Sequence, residues 1–398
     1  MINENKASRN SISLDNTEIA FSSRSNSELL KMNLMFYLMN NPGLNKLAIN
    51  MLLFSIKLHL PIKPLVKGTI FNHFCGGETL EECLKTIENL SKFRIGTILD
   101  YSVEGEKNES GFDFVVAETI KTIEIASKQN TVPFAVFKTS GIASVALLEK
   151  AQLNTLTDPK EIDSLKRARQ RFSKICSAAA SQKVRIFVDG EESWIQNVID
   201  RWAYEEMALH NKEKAYIFNT YQLYRSDVLA HLKKAHGDAS DSGYILGAKL
   251  VRGAYMEKEA AYASKNRLNN PIQTSKENTD RDFDLGVRYC VYHIGEIHFC
   301  LGSHNEKSNV ALSETMDTMG LSKNDDRIWF AQLYGMSDNI SFALAREGYN
   351  VAKYVPYGPV FSVMPYLIRR ASENTSVAGQ TSRELSLIQK ERSRRGES

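Results

Sequence analysis

Eight short runs of β-branched and aromatic residues, separated by long helical stretches, constrain the fold of this chain more than any other feature. The spacing between the runs, roughly 20–50 residues, leaves room for a crossover helix each time. Eight parallel β/α units predict an α/β protein with a (β/α)8 barrel, the TIM barrel, more than a doubly wound sheet. The runs are Ile95–Asp100, Phe134–Lys138, Val184–Asp189, Tyr216–Tyr221, Gly247–Val251, Ile297–Leu301, Ile328–Leu333 and Val351–Val355.

The rest of the chain is divided around this barrel. We expect the barrel domain over residues 91–378, preceded by a helical arm over residues 27–90. Residues 1–26, rich in Ser and Asn, are expected to form a flexible N-terminus, and residues 379–398 a polar tail. The charged helical stretch Asp158–Ser181 is expected as an insertion on the flank of the barrel.

The composition of the chain limits the kinds of partner it can bind and the cellular compartment in which it is expected. The net charge of +3 is too small to indicate a nucleic-acid partner, and the five cysteines form no C-x-x-C pair. Such cysteines predict free thiols in a reducing compartment. The N-terminus lacks the apolar core of a signal peptide, and its acids Glu4, Asp15 and Glu18 argue against a mitochondrial presequence. We therefore expect a cytoplasmic protein, with a mitochondrial location as the alternative if the source is eukaryotic.

The most apolar stretch of the sequence is Leu44–Pro61. It is too short and too polar to cross a bilayer, because Asn45, Lys46, Asn50 and Lys57 interrupt it. Its apolar residues recur with helical spacing, which favours packing against the main domain. The alternative is that this helix lies on a membrane surface.

Polar residues follow the predicted strands, at the end of a barrel where catalytic residues lie. Each has an ordinary structural explanation: Lys138 as a solvated lysine, Asp189 as a helix cap, His304 as a core histidine. These explanations weaken together, because nearly every strand leads into such a group. A metal site is not predicted, because no other Cys or His cluster completes one around His298, Cys300 and His304.

The helix after the last strand carries an unusual cationic pair. Helical spacing places Tyr366, Arg369, Arg370 and Glu373 on one face. Adjacent guanidinium groups repel, so their pairing beside an aromatic ring suits a small carboxylate gripped bidentately. The alternative is an exposed helix with an Arg369–Glu373 pair worth about 0.3–0.5 kcal/mol.

These motifs, in this order, resemble the proline dehydrogenase family of flavoenzymes, over residues from about 68 to about 378. The final motif, Tyr366-Leu-Ile-Arg369-Arg370-x-x-Glu373-Asn374, is the most specific of them. The sequence of Gly247–Tyr255 is similar to that of the eukaryotic-type branch, and the chain as a whole is similar to the monofunctional enzymes. The other motifs that carry the resemblance are the Lys138 strand, Val188-Asp189-Gly190, Tyr221-Gln222, Ser303-His304-Asn305 and Tyr354.

The resemblance implies roles for residues at matching positions. Arg369 and Arg370 would clamp the carboxylate of L-proline with Lys138 as a third cation, and Glu373 would orient that cluster. Tyr354, Tyr366 and Leu333 would contact the substrate ring. Asp189 would hold Lys138 and a polar network beneath the substrate. Lys138, Asp189 and Lys249 are thus the expected catalytic residues.

The resemblance also implies non-covalently bound FAD at the strand ends of a distorted barrel. Bacterial members commonly carry Arg at the position of Lys249 and Lys at that of Arg252, so the two cations are exchanged here. Asp100 and Glu104 match the end of the first strand, where the acid at 104 would pair with Arg369 in a closed site. The positions matching flavin contacts are Gln222, Lys249, Arg252, Gly253, Ala254, Ser303 and His304.

The implied reaction is oxidation of L-proline to Δ1-pyrroline-5-carboxylate by hydride transfer to FAD. The family implies reoxidation of the flavin by a quinone, and hence peripheral membrane contact at the inner face of the cytoplasmic membrane. A pyrroline-5-carboxylate dehydrogenase is a possible downstream partner. Two alternatives from the residues remain open: a Schiff-base aldolase with Lys138 as nucleophile, and an amino-acid sensor or nucleic-acid binder using the Arg-rich tail.

Overall fold

The computed structural model describes residues 12–58, 60–102, 108–376 and 380–397, without the side chains of residues 372–376 and 380. Eight parallel strands form a closed barrel in sequence order, and β1 pairs with β8 to close it. The predicted barrel is confirmed, and each strand lies within two residues of its predicted bounds. The strands are β1 Ile95–Tyr101, β2 Phe134–Phe137, β3 Arg185–Val188, β4 Ile217–Gln222, β5 Leu246–Val251, β6 Ile297–Gly302, β7 Ile328–Leu333 and β8 Val351–Tyr357.

Helices surround the barrel and extend from it at both ends of the chain. The arm comprises α1 Thr17–Ala20, α2 Asn26–Met39, α3 Pro42–Lys57, α4 Lys63–Val66, α5 Asn72–Phe74 and α6 Leu80–Ser91. The barrel helices are α7 Glu109–Lys128, α8 Val145–Gln152, α9 Pro159–Ser181, α10 Ser193–His210, α11 Val228–Asp241, α12 Met256–Asn266, α13 Lys276–Tyr292, α14 Glu306–Thr318 and α15 Asp338–Glu347. After β8 come α16 Met364–Ser376 and α17 Gln380–Arg394.

Alternation along the strands separates the barrel interior from the ring of helices. Phe134, Phe187 and Phe218 fill the interior, and the first two rings stack with centroids 4.3 Å apart. The intervening residues pack outward into the large core beneath the helices. Because successive side chains point to opposite faces, continuing the inward positions along each strand brings one residue per strand to the barrel mouth, the carboxyl-terminal end of the strands.

The expectation that Asp158–Ser181 is an insertion is wrong. Helix α9 covers this stretch and packs in the ring between α7 and α10, as a crossover helix does. Its charges form pairs between ring helices: Arg171 with Asp113 on α7, and Arg169 with Glu206 on α10. The additional helix in this connection is α8, which packs against α10 and α9.

Helix α17 returns to the arm and packs along α2 and α1. Leu385, Leu387 and Ile388 are buried there in a core shared with α2 and α16. Across the described ranges, no helix combines the length and apolarity that crossing a bilayer requires. The N-terminal arm and α17 therefore pack together in a core that also contains α16, the helix that carries Arg369 and Arg370.

Candidate active site

The inward positions at the barrel mouth are occupied by a polar layer. Asp189 directly follows β3, Lys249 lies in β5 and Tyr354 in β8, and alternation places all three on the interior side. The Lys249 Nζ forms an ion pair with Asp189 Oδ1, and the Tyr354 hydroxyl donates to Asp189 Oδ2 at 2.7 Å. The Nζ also lies 5.0 Å from the centroid of the Phe187 ring and 5.5 Å from that of Tyr354. Asp189 therefore fixes both a cation and a phenol at the floor of the mouth.

Asp100 and Lys138 stand beside this group on the neighbouring strands. Asp100 is buried and accepts a hydrogen bond from the Ser102 hydroxyl. Burial raises the pKa of Asp100, the charge of Lys138 opposes that shift, and the charge of Asp189 adds to it. Two carboxylates and two lysines thus share one electrostatic environment. The acid at 104 lies outside the described residues.

A cavity of ≈ 380 Å³ opens between these strand ends and α16, and Lys138 and Arg369 both line it. A space of this volume suits a small-molecule ligand. The Lys138 strand end and Arg369 of the last helix therefore border the same cavity. Other residues that line the cavity are Tyr101, Val136, Ser140, Glu191, Tyr255 and Lys258.

Arg370, the residue after Arg369 on α16, is not among the residues that line the cavity. It is buried, and its guanidinium carbon lies 5.1 Å from the centroid of the Tyr366 ring, which is also buried. Leu333, at the end of β7, is paired in register with Tyr354. Glu373 belongs to α16, but its side chain lies outside the described residues.

The residues predicted to bind a cofactor line the rim from β4 to β6. The Gln222 amide donates to the Glu191 carbonyl at 2.6 Å, and Gly253 has a φ of 128°. A Cβ at Gly253 would lie 2.4 Å from the Tyr224 ring, so glycine is required for this turn. Gly253 and Ala254 are exposed and leave the backbone open to a ligand at this point.

The two exchanged cations point to different places. Lys249 faces the barrel interior, whereas Arg252 donates to Asp280 (2.7 Å), Ser303 (2.9 Å) and Ser308 (3.0 Å). The Arg252 guanidinium also covers the Phe283 ring at 4.2 Å. Of the two, Lys249 is thus the cation at the floor of the mouth, and Arg252 fixes the rim between β5 and β6.

His304 belongs to a second polar network behind the rim. Its Nδ1 is 2.9 Å from the Ser337 hydroxyl, and the Ser337 N–H donates to Glu384 of α17 at 2.5 Å. Burial, together with the charges of Lys353 and Arg370, lowers the pKa of His304 to about 3. His304 is therefore a neutral ring near pH 7, oriented by the turn after β7.

Sequence reasoning missed Glu191 and Tyr255 as cavity residues. Glu191 directly follows the Val188-Asp189-Gly190 motif and Tyr255 ends the Gly247–Tyr255 block, but neither was given a role. A carboxyl group directly after a strand-end Asp is a usable signal. In the described part of the chain, no group of Cys, His, Asp or Glu has the arrangement of a metal site, and His298 Nδ1 instead accepts from the Ala215 N–H.

Replacing Glu191 with glutamine is expected to stabilise the protein at neutral pH and above. Burial raises the pKa of Glu191 to about 7 from 4.5, although the Ser140 N–H donates to it at 2.9 Å. A raised pKa means that the stability this group contributes is present below pH 4.5 and is lost as the pH rises to about 7. The free energy of unfolding of Glu191→Gln should therefore rise above that of the wild type between pH 4.5 and about pH 7. Above this range the difference should be on the order of 3 kcal/mol.

Denaturant unfolding of both proteins across this pH range measures the gain. Glu384 is also buried with a pKa raised to about 7, so its part of the pH dependence should persist in the variant. Glu192→Gln is the matched control, because this neighbouring carboxylate pairs with Lys258 at 2.8 Å and its loss should stabilise at no pH. A difference between Glu191→Gln and wild type that does not change with pH would contradict the assignment.

The fold and the site define an α/β-barrel protein with a cationic, ligand-sized cavity at the strand ends. A profile of the proline dehydrogenase family matches residues 83–383. The chain therefore belongs to the proline dehydrogenase family and is an oxidoreductase.

Named relatives span several kingdoms. The carbapenem antibiotics biosynthesis protein CarD of Pectobacterium carotovorum subsp. carotovorum is 35% identical over 81% of this chain and 83% of its own length. Proline dehydrogenase 1, mitochondrial, of Dictyostelium discoideum is 31% identical over 98% of this chain and 76% of its own. The human protein of that name is 38% identical over 59% of this chain and 40% of its own.

Solved structures share the fold. The crystal structure of proline utilization A from Bdellovibrio bacteriovorus, inactivated by N-propargylglycine, superposes with a TM-score of 0.72 at 20% identity. The match covers 91% of this chain and 38% of that longer chain. At this identity the likeness supports the barrel architecture and nothing beyond it.

Proposed function

We propose that this protein oxidises L-proline to Δ1-pyrroline-5-carboxylate, the first step of proline catabolism, with FAD as the hydride acceptor. The observation that carries the proposal is the meeting of Arg369 and Lys138 in one cavity next to the Lys249–Asp189–Tyr354 group. Two cations suit the carboxylate of a small amino acid. Membership in the proline dehydrogenase family supports proline as that amino acid.

The rim residues fit FAD by the chemistry of their donors. Lys249 and the Gln222 amide present donors at the β4–β5 side, and the neutral His304 ring lies behind the β6 end. The open backbone at Gly253 and Ala254 leaves N–H and C=O groups for a polar cofactor. When bound there, FAD would supply the two-electron acceptor that amine oxidation needs. Arg252 would act on the cofactor through the rim that it holds in place.

Substrate orientation follows from the clamp. Arg369 and Lys138, which line the cavity, would grip the carboxylate, and family membership supports Arg370 as the third cation. The grip would align the carbon next to nitrogen for hydride loss. Tyr366 and Leu333 would contact the ring, and Tyr354 would too, held in one orientation by Asp189 (2.7 Å). Glu373 would orient the arginines. These contacts use binding energy at one end of proline to position the other.

The proline amine must lose its ammonium proton before a hydride can leave. Three cations around the substrate disfavour the ammonium form, as like charges do. We propose that the proton passes to water or to the Asp100–Asp189 group. Asp100 is suited to receive it, because burial raises the pKa of this carboxyl. No strong dedicated base is then required.

We also propose that a membrane quinone reoxidises the flavin, which requires at least transient peripheral contact with a bilayer. In a bacterium this would be the inner face of the cytoplasmic membrane. The Dictyostelium and human relatives are named as mitochondrial proteins, so a mitochondrial location is the alternative. A pyrroline-5-carboxylate dehydrogenase would consume the product.

An absorbance spectrum of the purified protein, followed by anaerobic addition of L-proline, tests the proposed function. We expect flavin bands that bleach with proline and persist with L-alanine, which lacks the ring. A colourless protein that takes up no FAD on reconstitution would contradict the proposal. Trapping of a substrate at Lys138 by borohydride would favour the Schiff-base aldolase instead.

A further inference from the structure

Helix α3 carries an exposed row of large apolar side chains. The spacing of three and four residues places the row on one face, and over fourteen residues it runs for about 21 Å. Its members are Leu44 (39% exposed), Leu47 (57%), Met51 (62%), Phe54 (62%) and Leu58 (52%). Exposed apolar surface of this extent on a folded protein marks an interaction site.

The opposite face of α3 holds the helix in place. Ile49, Leu52 and Ile56 pack against the core that contains α2 and α16. Asn45 is buried, and its side-chain Nδ2 donates to the Ala371 carbonyl of α16 at 2.6 Å. Because these contacts fix the orientation of α3, the exposed row is not a face that the fold can turn inward. The predicted packing on the main domain and an exposed apolar face are both present in one helix.

The neighbouring arm elements add to this surface. Helix α2 packs against α3 and exposes Leu30, Leu34 and Tyr37, which are spaced so that they share a face. Leu65 on α4 is 68% exposed. The arm therefore presents apolar side chains from several consecutive helices, whereas no barrel helix exposes more than two large apolar side chains among its described residues.

One stretch of the arm, from Leu29 to Gly77, carries charge of one sign, whereas α1 and α6 contain glutamates. Between Leu29 and Gly77 the sequence contains five lysines and no aspartate or glutamate. Lys46 and Lys57, eleven residues apart, lie along the same flank of the α3 row, and both are exposed. An apolar face bordered by lysines is the pattern of helices that lie in the interface of anionic membranes.

Charge also decides between a bilayer and a second copy of the chain. An isologous dimer through this face would bring Lys46 and Lys57 of two protomers together, with no acid between Leu29 and Gly77 to pair them. An anionic lipid surface offers both the apolar medium and the opposite charge. We propose that the outer face of α3, with Lys46 and Lys57 at its edge, docks this protein on the surface of a bilayer that contains anionic lipids.

This docking proposal rests on the proposed reoxidation of the flavin by a membrane quinone, because such a quinone is reached only from the bilayer. It also adds a structural consequence. Helix α3 would lie between the lipid and α16, the helix that carries Arg369 and Arg370. The docking face and the substrate helix are therefore joined through a single layer of side chains and the Asn45–Ala371 hydrogen bond.

Co-sedimentation of the FAD-loaded protein with vesicles tests the docking face. We expect binding to vesicles of phosphatidylcholine and phosphatidylglycerol in equal parts, and weak binding to phosphatidylcholine alone. Met51→Gln with Phe54→Gln should weaken binding about tenfold or more, because two large apolar side chains no longer enter the interface. Lys46→Gln with Lys57→Gln should weaken binding to the anionic vesicles only, and added salt should reproduce that loss.

Leu153→Gln with Leu209→Gln is the matched control, because Leu153 directly after α8 is 61% exposed and Leu209 on α10 is 65% exposed. This variant should bind as wild type does. Equal binding by the Met51/Phe54 variant and wild type, equal binding to both vesicle types, or a wild-type dimer that this variant dissociates would each overturn the proposal. Flavin bleaching by proline in solution should be the same in all variants, so its absence would contradict the proposed reaction and leave the vesicle result intact.

Discussion

Replacement of Arg369 with alanine is expected to lower kcat/KM for proline on the order of 100-fold or more, chiefly through a higher KM. A charge-assisted hydrogen bond contributes about 1.5–3 kcal/mol, and a guanidinium fork makes two of them to a carboxylate. Arg370→Ala should cause a similar loss. Arg370→Lys should recover little of it, because an ammonium group reproduces neither the fork nor the stacking of Arg370 on Tyr366 (5.1 Å).

Steady-state kinetics with a soluble electron acceptor, on protein of measured flavin content, provides the test. Pyrrolidine, which lacks the carboxylate, sharpens it, because the variants and wild type should oxidise pyrrolidine at similar efficiency. Arg201→Ala is the control, since this arginine is exposed on α10, away from the mouth. An unchanged KM for proline in Arg369→Ala, or an equal loss with pyrrolidine, would rule out the clamp.

The barrel and the composition of its mouth were predictable because both depend on local patterns. Strand residues of β-branched and aromatic type recur at intervals that only parallel β/α units accommodate. Inward alternation then carries Asp189, Lys249 and Tyr354 to the same layer without any knowledge of their partners. The motif on α16 was visible for the same reason, since helical spacing alone places its residues on one face.

The prediction for α9 was wrong because a charged sequence is compatible with exposure to solvent and also with ion pairs between packed helices. Exposure to solvent was assumed, but Arg171 is buried and pairs with Asp113 and Glu109 of α7. Those acids lie about 60 residues away, and a single sequence does not show which charges meet. The exposed row of α3 corresponds to the alternative given for Leu44–Pro61, a helix on a membrane surface, and packing was favoured because apolar residues on both faces of a helix predict burial.

The buried cluster around Lys353 was also missed, because its members come from the two ends of the chain. Lys353 lies between Ala352 and Tyr354 of β8, whose side chains face the barrel interior, so the Lys353 side chain points outward. It is fully buried beneath the surrounding helices. Its Nζ pairs with Asp338 at 2.8 Å. Arg24, 314 positions away from Asp338 in the sequence, completes the cluster at 3.2 Å. A lysine within a strand was the available signal, but its partner was not predictable.

The cluster of Lys353, Asp338 and Arg24 should contribute strongly to the stability of the fold. Asp338→Ala is expected to lower the free energy of unfolding by about 3–5 kcal/mol, because it leaves the Lys353 charge buried without its carboxylate. Burial would raise the pKa of Asp338, but Lys353 and Arg24 lower it to about 2. A lowered pKa means that the stabilisation is complete above pH 3.8 and is lost as the pH falls to about 2. The ionisation of Asp338 itself should therefore add no pH dependence to the loss between pH 5 and pH 8.

Urea unfolding measures this loss, with Glu347→Ala as the matched control. Glu347 pairs with Lys323 at 2.9 Å on the surface, where both side chains are more than 40% exposed, so its removal should cost less than about 1 kcal/mol. Adding Lys353→Met to Asp338→Ala should recover part of the stability, because the second substitution removes the uncompensated charge. If the double variant is no more stable than Asp338→Ala, the loss arises from the start of α15 and not from the buried lysine. Recovery would establish that the turn orienting His304 is held by a charge cluster shared between the N-terminal arm and the barrel.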